Sequence, residues 1–383
     1  MTGRPVYVIG VGMTTFTRHR DRTFESLGQE AVRRAVADSG LEPATVGEVF
    51  CGTGFGGIAS GQRVLRDLGL TGPPITNVEN ACSSGASAFR LAVRAVASGE
   101  VETALAFGVE HLSSLGGGTL PLPRSDVEAG AGLVAPALYA LRAQRYLEAT
   151  GADAKHLAMV AVKARRHGAL NPYAHFRDAV TADEVLAARM IADPLTLLMC
   201  CPTSDGAAAA VVTADPGAGA GPRIAVAASA LCSGIEEDHG RDMSWSETTA
   251  RAAALAYERS GIGPGDVDVA EIHDAFAINE LMYYESLGFC EKGEAASLLE
   301  AGETSLGGRI PVNPSGGLLC RGHPVGATGV AQICEAAWQL RGTAGDRQVD
   351  GARVALTHTT GGGVSGLDHV ACAIHLLRRD ERS

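Results

Sequence analysis

The sequence predicts an α/β fold made of two related halves, with helices covering both faces of the sheets. Apolar segments typical of buried strands, such as residues 6–9, alternate with amphipathic segments of helical period, such as residues 23–38. Four residues with structural roles also recur at one constant offset of 221 positions, which indicates a duplication. The matched pairs are Ser39 and Ser260, Gly40 and Gly261, Pro43 and Pro264, and Val46 and Val267.

The first half is predicted to run strand, helix, strand, long loop, helix and strand. We expect a loop at Gly10 and Gly12, and then a helix from about Thr23 that ends at the glycine cap Ser39-Gly40. Further along, the pattern predicts strands at 48–51, 73–78 and 103–108 and a helix at 86–97. Asp205-Gly206 is predicted to form a turn before a last strand at 207–212.

The second half repeats this order, with strands predicted at 223–230, 269–272 and 352–358 and helices at 246–259 and 330–340. We therefore divide the chain into an N-terminal half, 1–222, and a C-terminal half, 223–383. Between the matched segments, the first half carries an inserted loop domain at about 113–199.

The insertion is predicted to contain helices at 134–150 and 154–167. Its segments 116–123 and 134–139 are expected to line part of a substrate pocket. A basic cluster on the second helix is predicted to be a solvated face, with a phosphate-binding patch as the alternative. That cluster consists of Lys163, Arg165, Arg166 and His167.

Composition and charge argue against several classes of protein. The net charge of −11 over 383 residues argues against a nucleic-acid-binding surface. No apolar run is long enough to span a membrane and the N-terminus has no signal-peptide pattern, so we expect a cytoplasmic protein. The nine cysteines, an odd number without metal-ligand spacing, predict reduced thiols and no metal site.

The chain is organised around Cys82, in the segment NACSSG at 80–85 between a predicted strand and a predicted helix. A cysteine at such a turn lies at the positive end of the helix dipole, which predicts a lowered thiol pKa and a reactive thiolate. Small neighbours would let a substrate carbonyl approach, and N–H groups at the helix start could stabilise an oxyanion. The alternative is a buried cysteine that acts as a small hydrophobic residue.

Five motifs, in order along essentially the whole chain, resemble the thiolase superfamily, and specifically its sterol-carrier-protein-type branch. They are NACSSG (80–85), CPTSDG (201–206), EIHDAF (271–276), NPSGG (313–317) and GHPVGATG (322–329). The resemblance implies a duplicated thiolase fold, a five-layered αβαβα arrangement with an inserted loop domain. It also implies acyl-CoA as the substrate, no separate cofactor, and a homodimer or higher homo-oligomer.

By this resemblance, Cys82 matches the nucleophile and His323 matches the histidine that activates it. His273 matches a residue that helps to form one oxyanion hole, and the N–H groups of Cys82 and Gly361 match the other. From the residues alone, His323 could instead cap a turn, and His273-Asp274 could be a structural pair. Further candidates around the site are His358, Thr359, Asn313, Ser315 and His111.

The sequence departs from the family pattern at the second catalytic cysteine. In most thiolases that cysteine lies in the C-terminal glycine-rich loop, where this chain has Thr359. In the sterol-carrier-protein branch it lies in a His-Asp-Cys-Phe motif, where this chain has Ala275. A threonine hydroxyl is a poor base near neutral pH and alanine is none, so the carbanion step lacks its expected base.

Three mechanisms remain open at this point. Cys82 could pass an acyl group to a carbon that is already nucleophilic, or a base such as His358 or His273 could replace the missing cysteine in a true thiolase. The pocket could instead catalyse retro-aldol C–C cleavage of a CoA-linked side chain, with a small OB-fold partner protein. A non-catalytic lipid- or acyl-CoA-binding protein is the alternative from another class. We predict an acyl-CoA-dependent acyltransferase that uses acyl-Cys82 and transfers to a carbon nucleophile or to CoA.

Overall fold

The computed structural model describes residues 3–116, 118–122, 125–217, 222–236 and 240–380. Its strands are β1 (Tyr7–Met13), β2 (Glu48–Gly52), β3 (Ile75–Val78), β4 (Thr103–His111), β5 (Met190–Ala192), β6 (Leu195–Thr196), β7 (Asp205–Thr213), β8 (Arg223–Ser233), β9 (Val269–Glu271), β10 (Val354–Gly361) and β11 (Ala371–Asp380). Its helices are α1 (Phe24–Ser39), α2 (Ser60–Leu65), α3 (Ser84–Ser98), α4 (Val127–Gly130), α5 (Ala135–Thr150), α6 (Ala154–Ala169), α7 (Ala182–Ala187), α8 (Glu247–Ser260), α9 (Ala277–Ser286), α10 (Ala295–Glu300), α11 (Gly317–Arg321) and α12 (Thr328–Arg341). Gly117 and Pro123, in the predicted pocket segment 116–123, lie outside the described residues.

Nine of these strands form one mixed sheet in the order β3-β2-β4-β7-β1-β8-β11-β10-β9. From the centre outward, the first half contributes β1, β7, β4 and β2, and the second half contributes β8, β11, β10 and β9. Each strand of the first series has its equivalent at the same place in the second. Two residue pairs between β1 and β8 join the half-sheets. Beyond β9, Ala270 pairs with Val312, which takes the place that β3 has in the first half. The predicted duplication is confirmed, while the boundary at 222/223 stays a prediction.

The helices form layers around the half-sheets. Helices α1 and α8 cover the outer faces, against β1 and β8 respectively. Helices α3 and α12 lie between the half-sheets and contact each other. The glycine cap predicted from sequence is present, since Gly40 ends α1 in the left-handed conformation, and at the start of α1 the Thr23 hydroxyl accepts the N–H of Ser26.

Two predicted loops are strand instead. Gly10 and Gly12 lie inside β1, and their lack of a side chain serves packing, since a Cβ at Gly10 would lie 2.2 Å from the carbonyl oxygen of Ala35 in α1. The predicted Asp205-Gly206 turn is the start of β7. The Asp205 carboxylate is buried there and accepts three hydrogen bonds from neighbouring loops, which replaces the water it would contact in a turn.

The basic cluster of the insertion does not form one solvated face. Lys163 is buried, with its Nζ 2.7 Å from the Glu280 carboxylate, and His167 is buried with its Nδ1 2.9 Å from a backbone carbonyl. Arg165 is half-buried and Arg166 is exposed. The predicted solvated face is therefore wrong for two of its four members, and the four side chains cannot hold one phosphate together.

The central helices approach each other through residues without bulky side chains. A Cβ at Gly85 in α3 would lie 2.3 Å from the carbonyl oxygen of Gly326, and a Cβ at Gly329 in α12 would lie 2.4 Å from the amide nitrogen of Ala86. Backbone therefore touches backbone at this contact. The contact fixes the separation of the two turns that precede these helices, and these turns carry Cys82 and His323.

We predict that Gly85→Ala destabilises the protein although alanine favours helix. The new methyl group would meet a backbone oxygen that cannot move independently, and overpacking of this kind typically costs about 1–3 kcal/mol. Urea unfolding followed by circular dichroism measures the change in the free energy of unfolding. Gly265→Ala is the matched control, because a Cβ there meets no atom within 4 Å. Equal stability of the two variants would show that the central contact is looser than described.

Candidate active site

Cys82 lies in a tight turn between β3 and α3. Ala81 has a φ of 49°, an unusual value for a residue with a side chain, and this turn directs the chain from the strand into the helix. Two hydroxyls anchor the turn: Ser84 donates to the carbonyl of Ala81 (2.6 Å), and Ser83 donates to the carbonyl of Thr359 in β10 (2.8 Å). The cysteine is therefore held by both halves of the molecule.

His323 lies in the turn between α11 and α12 and is buried. Its Nδ1 lies 2.7 Å from the Thr328 hydroxyl, and that hydroxyl donates its single hydrogen to the carbonyl of Pro324 (2.9 Å). Thr328 must then accept a hydrogen bond from Nδ1–H, which assigns the tautomer. Nε2 is left with a lone pair and has no hydrogen-bond partner in the described structure. A free Nε2 is the form that can accept a proton.

His273 follows β9 and completes a compact group with Cys82 and His323. Ligand-type atoms of the three side chains all lie within 4.8 Å of one another. The two imidazole rings meet edge to face, with their centroids 5.0 Å apart and their planes at 86°. All three residues line one cavity, so a substrate carbonyl placed there would face a thiol and two imidazoles.

Burial keeps this group uncharged. It raises the pKa of Cys82 to about 12, with smaller contributions from Glu110 and Glu79. It lowers the pKa of His323 to about 3, with a further contribution from Arg321. The resting pair at neutral pH is thus a neutral thiol and a neutral imidazole. The predicted thiolate at rest is wrong, because α3 begins two residues after Cys82 and the cost of burying a negative charge exceeds the effect of the helix dipole.

Gly361 lies against the Cys82 turn, as the oxyanion prediction requires. A Cβ at Gly361 would lie 2.5 Å from the carbonyl oxygen of Asn80 and 3.4 Å from the amide nitrogen of Cys82. Thr359 is buried, and its hydroxyl donates to Gln332 (2.9 Å). Its side chain is not among the residues lining the cavity, so it does not take the position of a second catalytic cysteine.

Three further sequence candidates, His358, Asn313 and Ser315, form hydrogen bonds with the segment that carries His273. His358 is fully buried outside the cavity, accepts the N–H of His273 at Nδ1 (3.4 Å), and lies 3.0 Å from the Thr249 hydroxyl at Nε2. Asn313 accepts the N–H of Ile272 (2.7 Å). The Ser315 hydroxyl donates to Glu271 in β9 (2.6 Å). The three residues therefore fix the backbone that presents His273.

Glu110 is a supporting residue that the sequence analysis missed. Its buried carboxylate accepts N–H groups from Gly54 (2.9 Å), Phe55 (3.0 Å) and Gly326 (2.9 Å). It thereby joins the loop after β2 to the turn that contains His323. A charged residue inside the apolar run of β4 was the available signal. The neighbouring candidate His111 instead contacts the carbonyl of His19 (3.1 Å) and does not line the cavity.

The cavity above the three side chains has a volume of about 230 Å³. One wall is apolar and comes from the insertion, as the sequence predicts for its described residues. That wall consists of Leu120, Leu122, Leu133, Val134, Leu138 and Tyr139. Ala275, which by the family resemblance matches the second catalytic cysteine, also lines the cavity, and its methyl group supplies no acid or base there.

The thiol and two imidazoles are also donor types that bind zinc. Histidine ligands of metals almost always donate their other ring nitrogen to a hydrogen-bond acceptor. Here Nδ1 of His273 has no partner in the described structure, although His323 meets this requirement. The arrangement therefore fits proton transfer better than metal binding, and the absence of a metal site stays a prediction.

Family models and sequence relatives agree with this geometry. A thiolase N-terminal domain model matches residues 6–215, and a thiolase C-terminal domain-like model matches residues 233–371. The chain belongs to the thiolase superfamily. It has the thiolase fold and is an acyltransferase of this superfamily, as predicted. Among the described residues, no helix has the length and apolar character needed to cross a bilayer.

Three curated proteins show which thiolases the chain resembles. It is 45% identical to the benzoylsuccinyl-CoA thiolase subunit BbsB of Thauera aromatica, over 94% of this chain and 95% of that protein. It is 41% identical to an acetyl-CoA acetyltransferase of Methanothermobacter thermautotrophicus, over 98% and 100%. It is 39% identical to human sterol carrier protein 2, over 93% and 70%. The predicted sterol-carrier-protein-type branch of the thiolases is confirmed.

A solved structure adds a related thiolase-like enzyme of another reaction class. The Ltp2-ChsH2(DUF35) aldolase superposes on this thiolase with a TM-score of 0.87 at 28% sequence identity, covering 100% of both chains. The same fold therefore occurs in a protein named for acyl transfer and in one named for aldol chemistry, so the reaction must be argued from the site.

We predict that alkylation of Cys82 by iodoacetamide accelerates steadily from about pH 8 to pH 10 without reaching a plateau, because direct loss of the thiol proton to solvent then adds to the path assisted by His323. The reactive form is the thiolate, and a pKa of about 12 leaves its fraction rising throughout this range. Peptide mapping after timed labelling gives the rate at Cys82 alone. A plateau near pH 7 would instead indicate a thiolate at rest.

We also predict that His323→Ala slows labelling of Cys82 near neutral pH by about tenfold or more, because the imidazole that accepts the thiol proton is gone. The matched control is His111→Ala, since His111 lies outside the cavity. Unchanged labelling in the His323 variant would rule out His323 as the activating base. Slowing in both variants would point to a change in folding instead.

Proposed function

We propose that this thiolase-family acyltransferase takes an acyl group from acyl-CoA onto Cys82 and transfers it to a carbon nucleophile or to CoA. The observation that carries the proposal is the approach of Cys82, His273 and His323 within 4.8 Å, with Nε2 of His323 free to accept a proton. A lipid-binding protein has no need for such a group. The proposal also assigns catalytic roles to these three residues.

The first step is nucleophilic attack by Cys82 assisted by His323. Because thiol and imidazole are both neutral at rest, proton transfer from Sγ to Nε2 accompanies formation of the bond between sulfur and the acyl carbon. The CoA thiolate leaves and receives a proton, and the product is acyl-Cys82.

Two sets of donors stabilise the charges that form on carbonyl oxygens. The N–H groups of Cys82 and Gly361 are the donors we propose for the oxyanion of the acyl group on Cys82, because Gly361 packs against the Cys82 turn. His273 suits the oxyanion of the second carbonyl, directly or through a water molecule. Burial, followed by the neighbouring imidazoles, holds the pKa of His273 well below its usual value. This ring therefore acts as a neutral hydrogen-bond donor.

The substrate class we propose is a 3-oxoacyl-CoA with an apolar group beyond the keto carbon. The apolar wall of the cavity supports this choice. The Thauera relative, named for benzoylsuccinyl-CoA, supports an aromatic acyl group. Coenzyme A enters as part of the substrate, and the proposed steps use no other cofactor.

We further propose that the protein works as a homodimer or higher homo-oligomer, together with a small OB-fold partner protein. Two names support a partner: the Thauera relative is named as a subunit, and the aldolase is named for Ltp2 together with ChsH2(DUF35). A partner that completes the CoA site would leave the described cysteine and histidines in place.

We expect brief incubation with acyl-CoA to leave an acyl group on Cys82. Intact mass after incubation with acetyl-CoA, butyryl-CoA and benzoyl-CoA would show the adduct, and peptide mapping would locate it. Cys82→Ala should abolish the adduct. The matched control is Cys290→Ala, because Cys290 is a half-buried thiol outside the cavity.

Other outcomes would contradict the proposal in different ways. An adduct that persists in Cys82→Ala would show that Cys82 is not the nucleophile. No adduct with any donor, although Cys82 is still alkylated by iodoacetamide, would favour the C–C lyase or a requirement for the partner. Binding of acyl-CoA that survives Cys82→Ala without any turnover of the native protein would favour a non-catalytic role.

A further inference from the structure

A second thiol, that of Cys201, lies between the two histidine segments of the site. The N–H of Cys201 donates to the carbonyl of Ala275 (2.9 Å), two residues after His273. Two residues further along the same segment, Thr203 forms a bridge with His323. The segment therefore passes between both histidines, and Cys201 lines the cavity together with Cys82.

The pairing places Cys201 directly opposite Ala275. Cys200 and Phe276 form an antiparallel bridge, so the next residues along each strand, Cys201 and Ala275, also face each other. Directly opposed residues of an antiparallel pair project to the same side, with Cβ atoms about 4.5–5.5 Å apart. Ala275 is the position at which related thiolases carry a cysteine. The thiol that is missing there is thus present on the neighbouring segment.

The surroundings of Cys201 keep its proton in place at rest. Burial raises the pKa of this thiol well above its usual value, and Cys200, Cys82 and Asp274 add to the effect. A separate observation also indicates that the cavity binds a ligand: Nε2 of His323 is buried there and has no hydrogen-bond partner in the described structure. A protonated thiol that lines the same cavity as an unpartnered imidazole is suited to supply a proton to a carbanion formed there.

We propose that Cys201 is the acid–base residue that protonates the α-carbon of the CoA thioester in cleavage and removes that proton in condensation. The inference rests on the proposed acyl transfer through Cys82. It replaces the predicted bases His358 and His273: His358 lies outside the cavity, and His273 is positioned to stabilise an oxyanion.

The proton and electron balance of cleavage can be written with these groups. Cys82 attacks the keto carbon of a 3-oxoacyl-CoA and gives its proton to Nε2 of His323. The bond between C2 and C3 breaks, its electron pair stays on C2, and the Cys201 thiol protonates C2. The Cys201 thiolate then takes the proton of an incoming CoA thiol, whose sulfur attacks acyl-Cys82. Cys82 leaves as a thiolate and recovers its proton from His323.

The neighbouring Cys200 provides a matched control. Its Sγ donates to the carbonyl of Thr196 (3.4 Å), so its thiol is directed to another partner. Burial alone accounts for its raised pKa, without a contribution from Cys82. Both cysteines line the cavity, and they differ in that the Cys200 thiol donates to a backbone carbonyl whereas Cys201 is the residue paired with Ala275.

The test compares C–C cleavage with acylation in Cys201→Ala, Cys200→Ala and the double variant Cys201→Ala/Ala275→Cys. The probes are acetoacetyl-CoA and 3-oxo-3-phenylpropanoyl-CoA with free CoA, followed by the appearance of acyl-CoA products. Adduct formation on Cys82 from acetyl-CoA or benzoyl-CoA is measured by intact mass on the same proteins. Acylation needs no proton on carbon, so this second readout also shows that each variant is folded.

We expect Cys201→Ala to lose about 100-fold or more in cleavage rate while its Cys82 adduct still forms, since acid–base catalysis typically contributes 10²–10⁴-fold. Cys200→Ala should cleave within about threefold of the native rate. The double variant should recover at least a tenth of the native rate, because the cysteine at position 275 supplies a thiol from the residue directly opposite position 201.

The inference would be overturned if Cys201→Ala cleaved the probes at the native rate. It would also be overturned if the native protein formed the Cys82 adduct but cleaved neither probe. In both cases the proposed function would stand. Native protein that neither acylates Cys82 nor cleaves a probe would overturn both proposals. If Cys201→Ala loses both the Cys82 adduct and C–C cleavage, Cys201 has a structural role and is not the acid–base residue.

Discussion

The close contact between helices α3 and α12 determines the chemistry of this thiolase. Each helix brings the turn before it, with Cys82 on one and His323 on the other, to the same point. Because backbone touches backbone at Gly85 and Gly326, the separation at this point does not depend on the rotamer of a long side chain. Proton transfer from a nucleophile to its base needs a short approach, so a rigid contact that keeps the proposed pair within 4.8 Å is of more use here than an adaptable one. The duplication supplies it, since each half contributes one equivalent helix.

Buried charges hold the loops around this contact. Glu110 joins the two halves through backbone N–H groups, and Arg321 lies 3.2 Å from the Glu271 carboxylate beneath the histidines. Such pairs add little to stability compared with apolar packing, but removal of one partner is costly because it leaves a buried charge alone. They therefore restrict the loops to one arrangement. Glu110 has a second effect, since its charge adds to that of burial in raising the pKa of Cys82 and so favours the protonated thiol.

The sequence predicted the features that depend on local patterns. The period of apolar residues located the main helices and strands, and the repeat of Ser39-Gly40 at Ser260-Gly261 indicated the duplication because glycine caps recur where helices end. Features that depend on distant segments were missed or wrong. The predicted thiolate at Cys82 failed because the degree of burial is set by the whole fold, and Gly10 was assigned to a loop because its contact with α1 is invisible along the chain. The pairing of residues 200–201 with 275–276 is equally non-local.

The protonation states explain how a site with so few charges can perform ionic chemistry. The thiols of Cys82 and Cys201 and the rings of His273 and His323 are neutral at rest. The folded protein therefore carries no desolvation free energy for ionised forms of these four side chains. Charge forms only when a substrate carbonyl is present to receive it, next to N–H groups already in position. In the mechanism we propose, acyl transfer to Cys82 moves one proton, from sulfur to imidazole, and carbon–carbon cleavage moves a second. On this proposal, the second protonated group in the cavity, Cys201, is what allows the site to act on a carbon–carbon bond as well as to accept an acyl group.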